Sequence, residues 1–269
     1  MYIRCQIASF SHVVTDDCFR LFASGESSIR LTKLSVSSFA IEIDTAVYEE
    51  AGSECQEYHA HLAASCMLVA LNIATLGYFT WLNHPTLHPV YEIRQSLDQQ
   101  PVQVALYKEY IPTIPLERTL TDVDVENAVI LFLPLVQDRS LAARTEYIKG
   151  LLHLGISHHD ITFYREAFGN FYRSLENCVT QKILRVERLK NEVAQIKKAL
   201  ANVGANECLQ EAFREVYVIR SSQVAHAQNE PVEVTFDDVL KVKAITDLLL
   251  AKTYRQIAEK IRQEKKHGV

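Results

Sequence analysis

Val186-Glu187-Arg188-Leu189-Lys190-Asn191-Glu192-Val193-Ala194-Gln195-Ile196-Lys197-Lys198-Ala199-Leu200-Ala201-Asn202-Val203 places apolar side chains at 186, 189, 193, 196, 200 and 203, alternately three and four apart with charges between them. This is a heptad seam over about two and a half repeats, the pattern of an amphipathic helix. Gly204-Ala205-Asn206 then turns the chain. The return segment, 207–228, sets Leu209, Ala212, Phe213, Val216 and Ile219 on one stripe. Two partners are open to the seam: the chain's own return helix, in an antiparallel hairpin, or the same seam of a second protomer.

Outward from this stretch the pattern stays helical on both sides. Helices are predicted over about 123–137, 140–154, 160–203, 207–228 and 236–265. Thr121-Asp122-Val123-Asp124 puts carboxylates where a helix N-terminus favours them. Thr235-Phe236-Asp237-Asp238 is a capping-box pattern with Asp in the place of Glu, and 262–269 is a solvated tail. Before residue 121 the period changes. Ser28-Ile29-Arg30-Leu31-Thr32-Lys33-Leu34-Ser35-Val36 and Phe39-Ala40-Ile41-Glu42-Ile43 alternate with period two, as half-buried strands do. A helix is expected from about 47 to 82, stopped by Asn83-His84-Pro85, and a strand over 102–110 before the loop marked by Pro112 and Pro115. The fold class is α+β, predominantly α: a small N-terminal α/β unit, residues 1–120, followed by an antiparallel helical bundle, residues 121–269.

Composition narrows the function classes. With 48% hydrophobic and 23% charged residues over 269 positions, disorder and fibrous repeats are excluded, and 8 glycines and 7 prolines are too few for a turn-rich all-β chain. Residues 1–150 carry ten Lys and Arg against eighteen Asp and Glu, a net of −8, whereas 151–269 carry eighteen against fifteen, a net of +3. A polyanion would prefer the second half. Residues 62–82 form an uncharged run long enough to cross a bilayer, but Ser65, Asn72, Thr75, Gly77 and Thr80 within it and the acidic flank before it favour a buried core helix, with no membrane contact. Cys5, Cys18, Cys55, Cys66, Cys178 and Cys208 stand singly, without metal-cage or disulfide spacing, and Met1-Tyr2-Ile3-Arg4-Cys5-Gln6 lacks a signal-peptide pattern. Reduced thiols and a cytoplasmic location are expected.

The segment Glu215-Val216-Tyr217-Val218-Ile219-Arg220-Ser221-Ser222-Gln223-Val224-Ala225-His226-Ala227 carries the chemistry. Arg220 is followed by a polar residue, Ser221, and five residues separate it from His226, near the end of a helix within an antiparallel array. The string Tyr217-x-x-Arg220-Ser221-Ser222-x-x-x-His226 resembles the signature of the HEPN superfamily (higher eukaryotes and prokaryotes nucleotide-binding domains), closest to its Apea-like branch. The resemblance spans about residues 123–265. Ser221 stands where active members often have Asn, Asp or His, and Ala227 where the branch often has glycine.

That resemblance implies a metal-independent endoribonuclease, a toxin or antiphage-defence effector, using no cofactor and no metal. It implies Arg220 and His226 as the catalytic residues, a symmetric homodimer through the helical domain, and RNA, tRNA included, as the partner, alongside an antitoxin or another defence-system protein. The residue types suit the chemistry. Histidine exchanges protons near neutrality, and arginine is a permanent, forked cation matched to phosphate. On an ideal helix the two residues lie about 120° apart in rotation and about 9 Å along the axis, so one helix cannot aim both at one atom. Either the helix breaks before His226 or a second protomer completes the cleft. Ser221 and Tyr217 support the pair, and Glu176 in Phe171-Tyr172-Arg173-Ser174-Leu175-Glu176-Asn177 is placed to orient Arg220 from a neighbouring helix.

The competing reading is a non-catalytic HEPN-like scaffold, or a module binding nucleotide or a partner, in which Arg220 pairs structurally with a carboxylate such as Glu176 or Glu215. His59 and His61 diverge by about 200° on a helix, and His158-His159-Asp160 reads as a helix-start turn with Asp160 as cap, so neither is a metal site. No P-loop, G-x-G-x-x-G, G-x-S-x-G or H-E-x-x-H occurs.

Overall fold

The computed structural model describes residues 2–15, 22–24, 27–44, 56–81, 91–94, 103–104, 118–138, 140–157, 163–225 and 233–267. The chain is α+β and predominantly α, and it divides into two compact units, Met1–Gln137 and Asp138–Val269.

In the first unit the period-two segments build an antiparallel sheet. Its order is β3 (Phe22–Ser24), β4 (Ser27–Ser35), β5 (Ser38–Asp44), β1 (Tyr2–Ser9), β7 (Tyr91–Arg94), β8 (Gln103–Val104), with β6 (Phe79–Trp81) also on β1. A short parallel pair, β2 (His12–Val13) with β9 (Arg118–Thr119), stands beside it. Register aligns the apolar positions across strands: Ile3 faces Ile43, Cys5 faces Ile41 and Ile7 faces Phe39, while Ile29 and Leu31 face Ile43 and Ile41 from β4. All of these are buried. On the opposite parity, Glu42 lies between Arg4 and Arg30, with Nε atoms 3.6 and 4.0 Å from its carboxylate. The strand expected over 102–110 is seen as β8 alone, and 105–117 lie outside the described residues.

α1 (Gln56–Thr75) ends seven residues before the expected stop at 82. Asn72 is the reason. Its amide donates to the carbonyls of Leu68 (2.9 Å) and Phe79 (3.0 Å), and its Oδ1 accepts from the Phe79 N–H (3.1 Å), so the chain is tied back on itself. Leu76 takes the left-handed conformation at φ +51°. A Cβ on Gly77 would approach the Phe79 ring to 2.5 Å, so only glycine fits this reversal into β6. The uncharged run is thus helix, turn and strand in succession, and no described helix is long and apolar enough to cross a membrane. The expected start near 47 lies outside the described residues.

α2 (Asp122–Gln137) is capped reciprocally: Asp124 accepts from the Thr121 N–H at 2.9 Å, and the Thr121 hydroxyl accepts from the Asp124 N–H at 3.2 Å. Because α2 packs on α1, the boundary between units falls after Gln137, and the division expected at 120/121 moves C-terminally.

The second unit holds α3 (Ala142–Ile156), α4 (Tyr164–Cys178), α5 (Glu192–Asn202), α6 (Glu207–Ala225) and α7 (Phe236–His267). α4 is central and packs on α3 and α7, burying Phe168, Phe171, Leu175 and Cys178. The α7 start forms the capping box read from sequence, with the Thr235 N–H donating to Asp238 at 3.0 Å.

The single helix expected over 160–203 is absent. α4 loosens into a π-helical turn, Val179–Leu184, and Arg185 follows in the left-handed region at φ 53°, ψ 51°. Residues 185–191 are not helical, and the Asn191 side chain caps α5 by accepting from the Ala194 N–H. The heptad seam is accordingly interrupted. Val186 is exposed in the connector, while Ile196, Leu200 and Val203 are buried on α5, which packs against α6. Gly204, at φ +79°, closes α5 in a Schellman turn: the Ala205 N–H donates to the Leu200 carbonyl at 2.9 Å and the Gly204 N–H to the Ala201 carbonyl at 2.9 Å. Within this unit the chain's own return helix is what the α5 face packs on.

Candidate functional site

α6 carries Tyr217, Arg220 and Ser221 in helical conformation, and His226 lies outside the described residues. Phe213 and Val216 are fully buried and turn the stripe inward. Arg220 falls at its edge with about a third of its side chain exposed, where a long cation can lay its stem on apolar surface and keep its head near water.

Two neighbouring helices bring side chains to that guanidinium. From α4, the Tyr172 ring lies beneath it, 5.5 Å from ring centroid to guanidinium carbon. From the first turn of α5, a Glu192 carboxylate oxygen sits 3.5 Å from a terminal guanidinium nitrogen. The second Glu192 oxygen accepts a hydrogen bond from the Tyr172 hydroxyl at 2.6 Å. Burial, followed by this bond to a carboxylate, pushes the Tyr172 phenol far above its usual range. Glu176, one turn after Tyr172 on α4, is half-buried in the same neighbourhood. Its carboxyl is pushed up by burial and by the Glu192 charge, against the pull of Arg220 and Arg173.

The ion-pair partner of Arg220 is therefore Glu192, in place of the expected Glu176 or Glu215. Glu215 pairs with Lys241 at 3.0 Å, and Glu176 makes no ion pair with Arg220 among the described residues. Tyr217 tilts on Phe213 at 6.4 Å and does not touch the Arg220 group among the described contacts. The Ser221 hydroxyl oxygen is buried and has no hydrogen-bond partner among the described residues, whereas Ser222 donates to the Ile219 carbonyl at 2.7 Å.

Chemically, this guanidinium is positioned but not consumed. The face of the Tyr172 ring attracts its charge, and the 3.5 Å contact to Glu192 is a charge contact longer than a charge-assisted hydrogen bond. Arg220 makes no hydrogen bond to another described residue, which leaves a forked donor set for an oxyanion such as phosphate.

Tyr172 and Glu192 were not singled out in the sequence. On one continuous helix, Glu176 and Glu192 would stand sixteen residues and about 24 Å apart. The break after Leu184 folds α5 back and brings them together. The one available signal was the four-residue spacing of Tyr172 and Glu176, which puts both on one face of α4.

A second charged cluster was also unforeseen. Lys243 and Asp247, one turn apart on α7, pair at 2.6 Å with side chains 3% and 1% exposed. The Tyr147 hydroxyl of α3 donates to the other Asp247 oxygen, and the Lys243 ammonium lies 5.6 Å from the Tyr147 ring centroid. Burial pulls Lys243 down and pushes Asp247 up, and their mutual attraction opposes both shifts. In the same unit, Asp138 accepts from Lys182 and, at 2.5 Å, from the Tyr254 hydroxyl.

The cysteine and histidine expectations divide. Cys5, Cys66 and Cys178 are free and buried, Cys208 is free and exposed, and Cys18 and Cys55 lie outside the described residues. Burial pushes the Cys5 and Cys178 thiols up to about 12, so neither is a nucleophile near neutrality. His59 and His61 lie on α1, and no cluster of three metal-ligating side chains occurs among the described residues. His158, His159 and Asp160 lie outside them, and α4 begins at Tyr164.

No protein-family model matches the chain, and neither a curated protein nor a solved structure matches it.

Proposed function

We propose that the helical unit is a metal-independent endoribonuclease of HEPN type, acting as a toxin or antiphage-defence effector in the cytoplasm. Arg220 holds the scissile phosphate and His226 moves the proton. The observation that supports this reading is the state of Arg220: placed over the Tyr172 ring, loosely steered by Glu192, and without a hydrogen bond among the described residues. In the reaction, the ribose 2′-hydroxyl gives up its proton and its oxygen bonds to the adjacent phosphorus. The bond from phosphorus to the 5′-oxygen breaks, and that oxygen leaves protonated. The products are a 2′,3′-cyclic phosphate and a 5′-hydroxyl. Arg220 neutralises charge growing on the non-bridging oxygens. Ser221 is the polar residue next to Arg220 in the chain, and its buried hydroxyl has no partner among the described residues.

Two protomers related by a two-fold axis would supply two arginines and two histidines to one cleft, which answers the rotational offset between positions 220 and 226. The N-terminal unit then senses a trigger or restrains the nuclease, and an antitoxin-like protein is a further candidate partner.

The test is incubation of the full chain with total RNA and tRNA in EDTA, comparing wild type with Arg220→Ala and His226→Ala and mapping fragment ends. Cyclic-phosphate ends that disappear in both variants support the reading. Absence of cleavage by wild type, or cleavage that survives both substitutions, overturns it.

A second reading has its own observation. The chain of contacts from Tyr172 to Glu192 to Arg220 ties α4, α5 and α6 together, as a structural clip in a non-catalytic scaffold would. In that case Arg220→Ala lowers stability and changes nothing in RNA.

A further inference from the structure

The connector between α4 and α5 gathers three exposed cations within six residues. Outside it, Lys149 and Arg173 pair with Glu146, Lys182 with Asp138, Lys197 with Glu211, Lys241 with Glu215 and Lys243 with Asp247, while Arg165, Lys198, Lys252, Lys260 and Arg262 are exposed singly along their helices without an ion pair among the described residues. In the connector, Arg185, Arg188 and Lys190 are all exposed, and none has an ion pair or side-chain hydrogen bond among the described residues. Residues 185–190 carry three Lys and Arg against one Glu, a locally positive stretch in a chain whose net charge is −5.

The backbone holds these side chains in place. The connector is pinned at its start by the Val186 N–H donating to the Thr180 carbonyl at 2.9 Å, and at its end by the N–H groups of Lys190 and Asn191 donating to Gln195 Oε1 at 2.9 and 3.3 Å. Arg185 sits in the left-handed region at φ 53°, a conformation that costs a non-glycine residue about 1–2 kcal/mol. The next residue after this pinned segment is Glu192, which touches Arg220. Glu192 lies four positions after Arg188, so their Cα atoms lie within about 14 Å of one another.

We infer that the connector 185–190 is a docking surface for the phosphate backbone of single-stranded RNA, with Arg188 and Lys190 leading the strand toward Arg220. Unpaired, exposed arginines offer the fork that phosphate oxygens accept, and pinning reduces the ordering cost on binding. RNA as the occupant rests on the nuclease reading above, although binding does not require that cleavage occur.

The experiment therefore separates the two. Binding of the full chain to a fluorescein-labelled 2′-O-methyl RNA oligonucleotide, which has no free 2′-hydroxyl to attack, is followed by anisotropy in EDTA across a KCl series. For Arg188→Gln/Lys190→Gln the account predicts affinity roughly 10- to 30-fold weaker near 0.1 M salt, and a slope of log K against log [salt] shallower by about 1.4. Lys260→Gln/Arg262→Gln, which removes the same charge from exposed positions late in α7, should produce a smaller loss.

Wild-type protein that does not bind the oligonucleotide overturns the inference. So does an unchanged slope in the connector variant, or an equal loss in the α7 variant. Loss of binding to phosphatidylserine vesicles with RNA binding intact would assign the surface to an anionic membrane and overturn it as well. Arg220→Ala that abolishes cleavage of natural RNA while retaining oligonucleotide binding supports both readings. Connector-dependent binding without cleavage by wild type keeps the docking surface and removes the nuclease.

Discussion

Two ion pairs in the helical unit show opposite uses of charge. Lys243–Asp247 is sealed: both side chains are almost wholly buried, the pair is short, and Tyr147 takes up the second carboxylate oxygen. Arg220–Glu192 is open: the contact is 3.5 Å, about a third of the arginine is exposed, and its donors are not spent on the described residues. A sealed pair stabilises the unit only as long as both members remain, because each offsets the desolvation of the other. An open pair contributes little to folding and leaves its cation available. The lesson is that burial and hydrogen-bond saturation, more than the presence of a salt bridge, separate architecture from chemistry in this fold.

The sharpest way to break the comparison is at Asp247. Asp247→Ala leaves the Lys243 ammonium in the core without its carboxylate, and the account expects a loss of about 3–5 kcal/mol in urea unfolding. Lys243→Met/Asp247→Leu removes both charges and should restore most of that loss. A double variant as unstable as the single would show that the pair is not the sealed unit described. Tyr147→Phe is the next effect in size: removing the donor to a buried carboxylate should cost about 1–3 kcal/mol, read from the same urea midpoints.

Effects at the open pair should be smaller on stability and larger on function. Tyr172→Phe removes the hydroxyl that holds Glu192 and should cost about 1 kcal/mol, with the phenyl ring still beneath Arg220. Arg220→Ala should change stability by less than about 1 kcal/mol in the same urea experiment.

Glu176 gives the smallest effect, and its sign is fixed. Its carboxyl is raised in the folded chain, first by burial and then by Glu192, so the folded state holds the proton to higher pH than the unfolded state. Across the interval from its ordinary value up to its raised value, stability falls as pH rises. Glu176→Gln should therefore stabilise the protein at neutral pH and lose that advantage below the ordinary carboxyl range. A gain that is the same at acidic and neutral pH would contradict the assignment.

The sequence made some of this legible, for identifiable reasons. Thr121 with Asp124, Thr235 with Asp238, and Gly204 act through bonds only a few residues long, so local reading found all three helix boundaries. The strands appeared in their period-two alternation, which one buried face enforces. The break after Leu184 did not appear. Residues 178–191 contain no glycine or proline, and the stop is made by a π-turn and a left-handed arginine that no propensity signals. That break also hid Glu192, the residue that meets Arg220. Lys243 and Asp247 stand four apart on a helix, the spacing of an exposed surface pair, and only packing of α7 against α4, with Tyr147 reaching across from α3, reveals them as core. Arg220 itself was legible at the edge of an apolar stripe, although its partner was not.

The most direct test of the account measures RNA cleavage in EDTA by Arg220→Ala, using a preparation whose urea midpoint is compared with wild type. The account predicts an unfolding midpoint close to wild type together with loss of the cyclic-phosphate products. A large fall in the midpoint, or cleavage at the wild-type rate, would place Arg220 in the architecture of the unit and contradict its role at phosphate.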